Sequence, residues 1–114
     1  MESQFWADLQ HDLQDPEFAR EYAAESVRIA TIDSLINDLD ALRGSEGVSK
    51  AALARAIGTD PSVVRRLFSA SAVNPTVGTI AEVAAALGMK LVLEPMTEAE
   101  KLHITVPMRA SAAA

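Results

Sequence analysis

Four polar side chains, Lys50, Ser62, Arg65 and Arg66, are the residues best placed to do chemistry in this sequence. Arg65 and Arg66 are adjacent on a run that reads as a helix. A guanidinium presents a planar fork of donors to guanine or to phosphate oxygens. Ser62 can donate to a phosphate or a base edge, and Val63 offers methyl surface to thymine. Lys50 opens the preceding helix, where a cation would meet a phosphate. The chemistry on offer is recognition of duplex DNA. Catalytic sets are scarce by comparison. The 114 residues hold no cysteine, which excludes disulfides, thiol catalysis and cysteine–zinc sites. His11 and His103 lie far apart and read as surface or structural residues. Asp15, Glu17 and Glu21 read as a solvated helix face, and there is no glycine-rich phosphate loop. No enzyme activity, metal or cofactor is expected.

The side chains of residues 50–67 need two short helices to position them. A helix-turn-helix demands a small residue where the helices cross and a turn residue that tolerates a left-handed backbone. Ala54 and Gly58 meet those demands, four positions apart. Leu53 and Ile57 give the inner face of the first helix, and Val64 and Leu67 that of the second. Pro61, Ser62, Val63, Arg65 and Arg66 then point outward. The plainer alternative is an ordinary helical hairpin whose arginines are simply solvated.

Ser49 and Asp60-Pro61 are helix-start signals, and Asn74 or Thr76 caps a further helix with Ile80, Val83, Ala84 and Leu87 on its apolar face. Gly88 is its expected stop. The stretch Ser69–Pro75 is turn chemistry. Upstream, Phe5, Trp6, Leu9 and Leu13 predict a short helix. Asp15-Pro16 starts a second, long one that ends at Gly44 and Gly47, with Thr31-Ile32-Asp33 as a candidate break. Met89–Glu94 reads as a short strand ended by Pro95. Its partner is either a second short run at His103–Val106 or the same strand of a second subunit, because a lone strand is unstable. The expected fold class is all-α: a helical bundle with a helix-turn-helix motif, an N-terminal helical extension and a short C-terminal strand. The expected segments are an acidic extension over 1–30, the motif domain over 31–96 and a tail over 97–114, of which Met108–Ala114 reads as disordered. No internal repeat or clean linker appears.

Apolar residues make up 49% of the chain and no apolar run approaches 18 residues, so no membrane span is expected. Met1-Glu2-Ser3-Gln4 lacks the features of a signal peptide, and a cytoplasmic protein is expected. The net charge of −6 is unevenly spread. Residues 1–47 carry eleven acids against three bases; residues 48–90 carry five bases, Lys50, Arg55, Arg65, Arg66 and Lys90, against two acids. The two parts should meet different partners.

The block Ser49–Leu67, with Asn74-Pro75-Thr76 and Thr79–Gly88, resembles the XRE (Cro/repressor-like) helix-turn-helix family. The Asn-Pro-Thr entry, the Ala-Ala-Ala-Leu-Gly exit and the following strand look like HigA-type antitoxins, as does an Asp-Pro-Glu-Phe start in the N-terminal extension. The resemblance covers about residues 32–93. It implies a dimer that places its second motif helix in the major groove of a palindromic operator. It also implies repression of the chain's own operon and neutralisation of a small RelE/HigB-like ribonuclease toxin. By position, Lys50, Ser62, Arg65 and Arg66 match the DNA-facing places, and Thr59 and Asn74 lie near the DNA backbone. Three departures stand out. Pro61 replaces a usual polar base reader, Phe68 replaces a common glutamate, and the loop before Asn74 is one residue longer.

Phe5, Trp6, Phe18 and Tyr22 are four of the five aromatics, and Asp8, Asp12, Asp15, Glu17, Glu21 and Glu25 lie among them. Aromatic anchors bordered by acids suit a basic protein, such as an RNA-cleaving toxin. Packing on the chain's own core or on a dimer mate is the alternative. Two further readings stay open: a stand-alone repressor without a toxin, and an interaction domain that no longer binds DNA.

Overall fold

Helix boundaries fall where short polar side chains and glycines can satisfy the backbone groups that a helix leaves open at its ends. The computed structural model describes residues 2–69 and 74–110. Helix α1 spans Glu2–Asp12, α2 Pro16–Ser45, α3 Lys50–Ile57, α4 Pro61–Leu67 and α5 Val77–Ala86. A short α6, Glu98–Glu100, continues through a π-helical stretch at Lys101–Thr105 into α7, Val106–Ala110. Ser49, Asp60 and Thr76 cap α3, α4 and α5; their side-chain oxygens accept first-turn amides at 3.0, 2.8 and 3.1 Å. Asp15 accepts the Glu17 amide at 3.0 Å ahead of α2. Thr31-Ile32-Asp33 does not interrupt α2. These residues cost a helix only a few tenths of a kcal/mol each, roughly, and neither glycine nor proline lies among them. Gly44 sits inside α2, and the stop is Gly47.

The chain divides into two compact units, residues 31–93 and residues 1–30 with 94–114. In the first, Leu53 of α3, Val64 of α4 and Val83 of α5 are the largest completely buried side chains. Ile36 and Leu39 of α2, with Leu67, Ile80, Ala84 and Leu87, complete the core. Ile57 is half-buried against it. Truncating such a core leucine costs about 2–5 kcal/mol, whereas an exposed ion pair contributes about 0–1. Apolar burial therefore holds this unit together.

Ala54 is also fully buried. Four residues later Gly58 takes φ +71°, a left-handed conformation. Its amide reaches the Arg55 carbonyl at 3.2 Å and the Thr59 amide reaches Ala54 at 2.9 Å, closing α3 in a Schellman motif. The same pair of bonds closes α2 at Gly47 and α5 at Gly88. One polar knot supports the motif. Arg43 donates twice to Asp40, at 2.7 and 3.0 Å, and once to the Val48 carbonyl at 2.9 Å. Its guanidinium stands 5.9 Å from the centre of the Phe68 ring. Phe68, in place of an acid, thus links the end of α4 to α2 through a cation–π contact.

In the second unit Ala23 is buried, and two aromatic pairs lie on α1 and α2. Phe5 and Trp6 meet edge to face with centroids 5.2 Å apart, and Phe18 stacks near Tyr22 at 6.2 Å. The expected C-terminal strands are not present among the described residues. His103–Val106 is helical, so it cannot pair with Met89–Glu94, and that segment is neither helix nor strand. Thr97 and Glu100 form a reciprocal capping box that starts α6, and this overrides the β-branched run Ile104-Thr105-Val106. Pro107 has no N–H for the His103 carbonyl. The turn before it widens, and the Val106 amide donates to Lys101, five residues back. The tail expected over Met108–Ala114 begins as helix to Ala110; residues 111–114 lie outside the described residues, as do residues 70–73 of the expected turn and its extra loop residue.

Two glycine substitutions separate backbone strain from side-chain crowding, since a Cβ at either Gly44 or Gly58 would meet nothing within 4 Å. Gly58→Ala should lower unfolding free energy by about 1–2 kcal/mol, because its φ is positive. Gly44→Ala should leave stability unchanged or raise it by up to about 1 kcal/mol. Urea denaturation of both variants checks this, and equal effects would contradict it.

Candidate nucleic-acid interface

Asp60 and Pro61 set the start of α4 and therefore the direction in which its side chains point. Pro61 occupies the first turn, where its missing N–H is no loss. Val64 and Leu67 face the core, which fixes the rotation of the helix. At about 100° per residue, Ser62, Arg65 and Arg66 then fall on the opposite side, with Val63 on the flank. Val63, Arg65 and Arg66 are exposed, whereas Ser62, in the first turn, is half-buried. Pro61 is half-buried and offers no donor, so any reading of bases falls to the four residues after it.

Lys50 is the first residue of α3 and is half-buried, as is Thr59 in the turn. Asn74 is exposed. The structure brings Asn74 together with Val63 and Arg66 around a cleft of about 280 Å³, which Thr76 and Thr79 also line. The cleft joins the exposed side of α4 to the N-terminus of α5. Sequence spacing alone does not show this meeting, because Asn74 is eight residues beyond Arg66.

The cations of the chain are held in two different ways. Four bases form ion pairs among the described residues: Arg20, Arg28, Arg43 and Lys101. All four lie outside residues 48–90. Lys50, Arg55, Arg65, Arg66 and Lys90 form none. Their charge can meet a phosphate without first breaking an internal pair. Arg55, exposed on α3, joins this set although the spacing of the motif does not single it out. The Asp60 carboxyl is held below the ordinary carboxylate range, first by the Ser62 amide, then by the Ser62 hydroxyl, with a smaller contribution from the Arg65 charge.

The four aromatics placed on the acidic extension differ in exposure. Phe5 and Trp6 are 62% and 57% exposed. Tyr22 is 43% exposed and Phe18 half-buried. Phe18 and Tyr22 line an open cleft of about 570 Å³ rimmed by Arg20, Glu21, Glu25 and Arg28. A second cleft in this unit, about 510 Å³, brings Tyr22 and Ala23 beside Leu102 and Val106 of the C-terminal helical run. Sequence spacing missed that helical face; the Thr97…Glu100 capping box was the available signal.

Residues 39–93 match the Helix-turn-helix family model. The match takes in the end of α2, all of α3 to α5 and the segment that follows. No curated protein and no solved structure matches the chain. Among the described residues no helix is long and apolar enough to cross a membrane. The matched stretch carries the Ala54–Gly58 crossing, the Asp60 cap and the five bases of residues 48–90 that form no ion pair among the described residues.

The Asp60 cap has a defined pH dependence. Its carboxyl is depressed on folding, so its stabilisation is fully present above the unfolded value, about 4. It is lost as pH falls through the lower folded value. Asp60→Asn keeps an acceptor but cannot titrate. Acid unfolding followed by circular dichroism should show less loss of stability below about pH 4 in this variant than in the parent chain. Identical acid profiles would contradict the assignment.

Proposed function

We propose that the chain binds operator DNA through the exposed face of α4 and represses its own operon as a dimer. We further propose that its acidic unit binds and neutralises a small basic ribonuclease toxin of the RelE/HigB-like kind. The single observation that carries the first part is the pair Arg65 and Arg66, exposed and without ion pairs on the second motif helix. In this reading Arg66 and Arg65 contact guanine or phosphate, and Ser62 and Val63 add a hydrogen bond and a methyl contact. Lys50, Thr59 and Asn74 hold the phosphate backbone and fix the register. The match of residues 39–93 to the Helix-turn-helix family supports this part.

The second part is supported by charge. Residues 1–30 with 94–114 carry ten acids against four bases, net −6, which is the whole net charge of the chain; residues 31–93 carry six of each. Phe5, Trp6 and Tyr22 sit exposed in that acidic unit, with Phe18 half-buried beside Tyr22. A basic protein would find both anchors and counter-charge there. The resemblance of the extension and motif to HigA-type antitoxins points the same way.

Fluorescence anisotropy with duplex DNA from the region upstream of the chain's own coding sequence tests the first part. Arg65→Ala or Arg66→Ala should weaken binding by about 1–3 kcal/mol where the residue reads a base. Unchanged affinity in both variants would remove α4 from the interface.

For the second part, the tagged chain is recovered from its own cells after nuclease treatment and the bound proteins are weighed by mass spectrometry. A stoichiometric small basic protein with RNA-cleaving activity is expected. Phe5→Ala with Trp6→Ala should lose it while keeping DNA affinity. Retention by the variant would place the toxin surface elsewhere, and recovery of the chain alone would favour a stand-alone repressor.

A further inference from the structure

The acidic unit holds an apolar groove that its own side chains leave open. Across this cleft of about 510 Å³, Tyr22 and Ala23 of α2 meet Leu102 and Val106 of the C-terminal helical run, and Leu13 and Ala19 line it as well. Ala19 and Ala23 stand one turn apart on α2, so the floor is made of methyl groups, and Ala23 is buried. The walls face solvent: Leu102 is 66% exposed, Val106 54% and Tyr22 43%. Three large apolar side chains thus converge on one cleft and stay uncovered there.

One end of the groove is acidic. Asp15 lies one turn before Ala19, whose amide reaches the Asp15 carbonyl at 2.9 Å. Asp12 is next to Leu13 in the chain. Neither carboxylate forms an ion pair among the described residues, nor does Glu17. The bases beside Ala19 and Leu102 in the chain, Arg20 and Lys101, are engaged by Glu21 and Glu98.

We infer that the groove takes an amphipathic helix of a partner protein, with apolar side chains seated on Ala19 and Ala23 and basic side chains toward Asp12, Asp15 and Glu17. This deepens the reading that the acidic unit binds a basic protein, and rests on it. Three observations select a basic helix. Both walls are helical, so their main-chain groups serve their own hydrogen bonds and offer no edge to a strand. A floor of alanines between larger walls accepts the side-chain ridge of a third helix. The unit carries a net charge of −6, which attracts a basic partner and repels a second copy of itself. The chain's own last residues, 111–114, are serine and alanine and bring no large apolar side chain to the groove.

Synthetic peptides of about five helical turns, roughly 18 residues, test this on the full chain by fluorescence anisotropy. The first is built of leucine and lysine, with leucines at i, i+3, i+4 and i+7. The second has the same composition in an order that leaves no apolar face. The third keeps the leucines and replaces every lysine by glutamate. The first should bind about tenfold or more tightly than either of the others. Leu102→Ser and Val106→Ser should each weaken its binding about tenfold, because each removes a wall of the groove. Both side chains are exposed, so circular dichroism should show the variants folded. Equal binding of the first two peptides would reduce the contact to charge alone and overturn the groove. So would a first peptide that binds both serine variants as it binds the parent chain. Peptide binding as expected, with no basic protein recovered by the parent chain from its own cells, would uphold the groove and set aside the ribonuclease toxin as its occupant.

Discussion

The unit of residues 31–93 depends on one constraint: the crossing from α3 to α4 carries a fully buried alanine and, at its turn, a left-handed glycine. Ala54 is buried completely at that place, and Gly58 turns the chain with a left-handed backbone that a Cβ would strain. The interdigitation of Leu53, Val64 and Val83 follows from this crossing. So does the rotation of α4. Because Val64 and Leu67 must face inward, Ser62, Arg65 and Arg66 must face outward. The exposed face of α4 is a consequence of the core.

Charge is organised around the same domain. Outside residues 48–90 four of the five cations are held in pairs, as Arg43 is by Asp40; within them no cation forms an ion pair among the described residues. The whole net negative charge lies in the other unit. A protein of net −6 can therefore approach a polyanion through one neutral unit with an exposed basic face.

Much of the fold was legible because it is locally encoded. Ser49, Asp60 and Thr76 cap their helices, Gly58 and Gly88 end theirs, and the apolar spacing of α5 gives its buried face. The errors came where local and tertiary signals conflict. Met89–Glu94 has the composition of a strand but no partner within the chain, and composition cannot supply one. Ile104-Thr105-Val106 is β-branched, yet the capping box at Thr97 and the missing N–H of Pro107 shape a helix there. Of the candidate site residues, those on α4 follow from helical periodicity. The meeting of Asn74 with Arg66 does not, since it depends on how α5 packs. The Arg43–Phe68 contact was likewise hidden: a residue that looks like the loss of a polar link becomes an aromatic one.

Amide chemical-shift mapping tests the assignment of the DNA surface most directly. The full chain is titrated with duplex DNA from its own upstream region. Shifts concentrated at Lys50, at Thr59 to Arg66 and at Asn74, with the amides of residues 2–30 unmoved, are the predicted result. Shifts centred on the acidic unit, or none at Arg65 and Arg66 at saturating DNA, would contradict it.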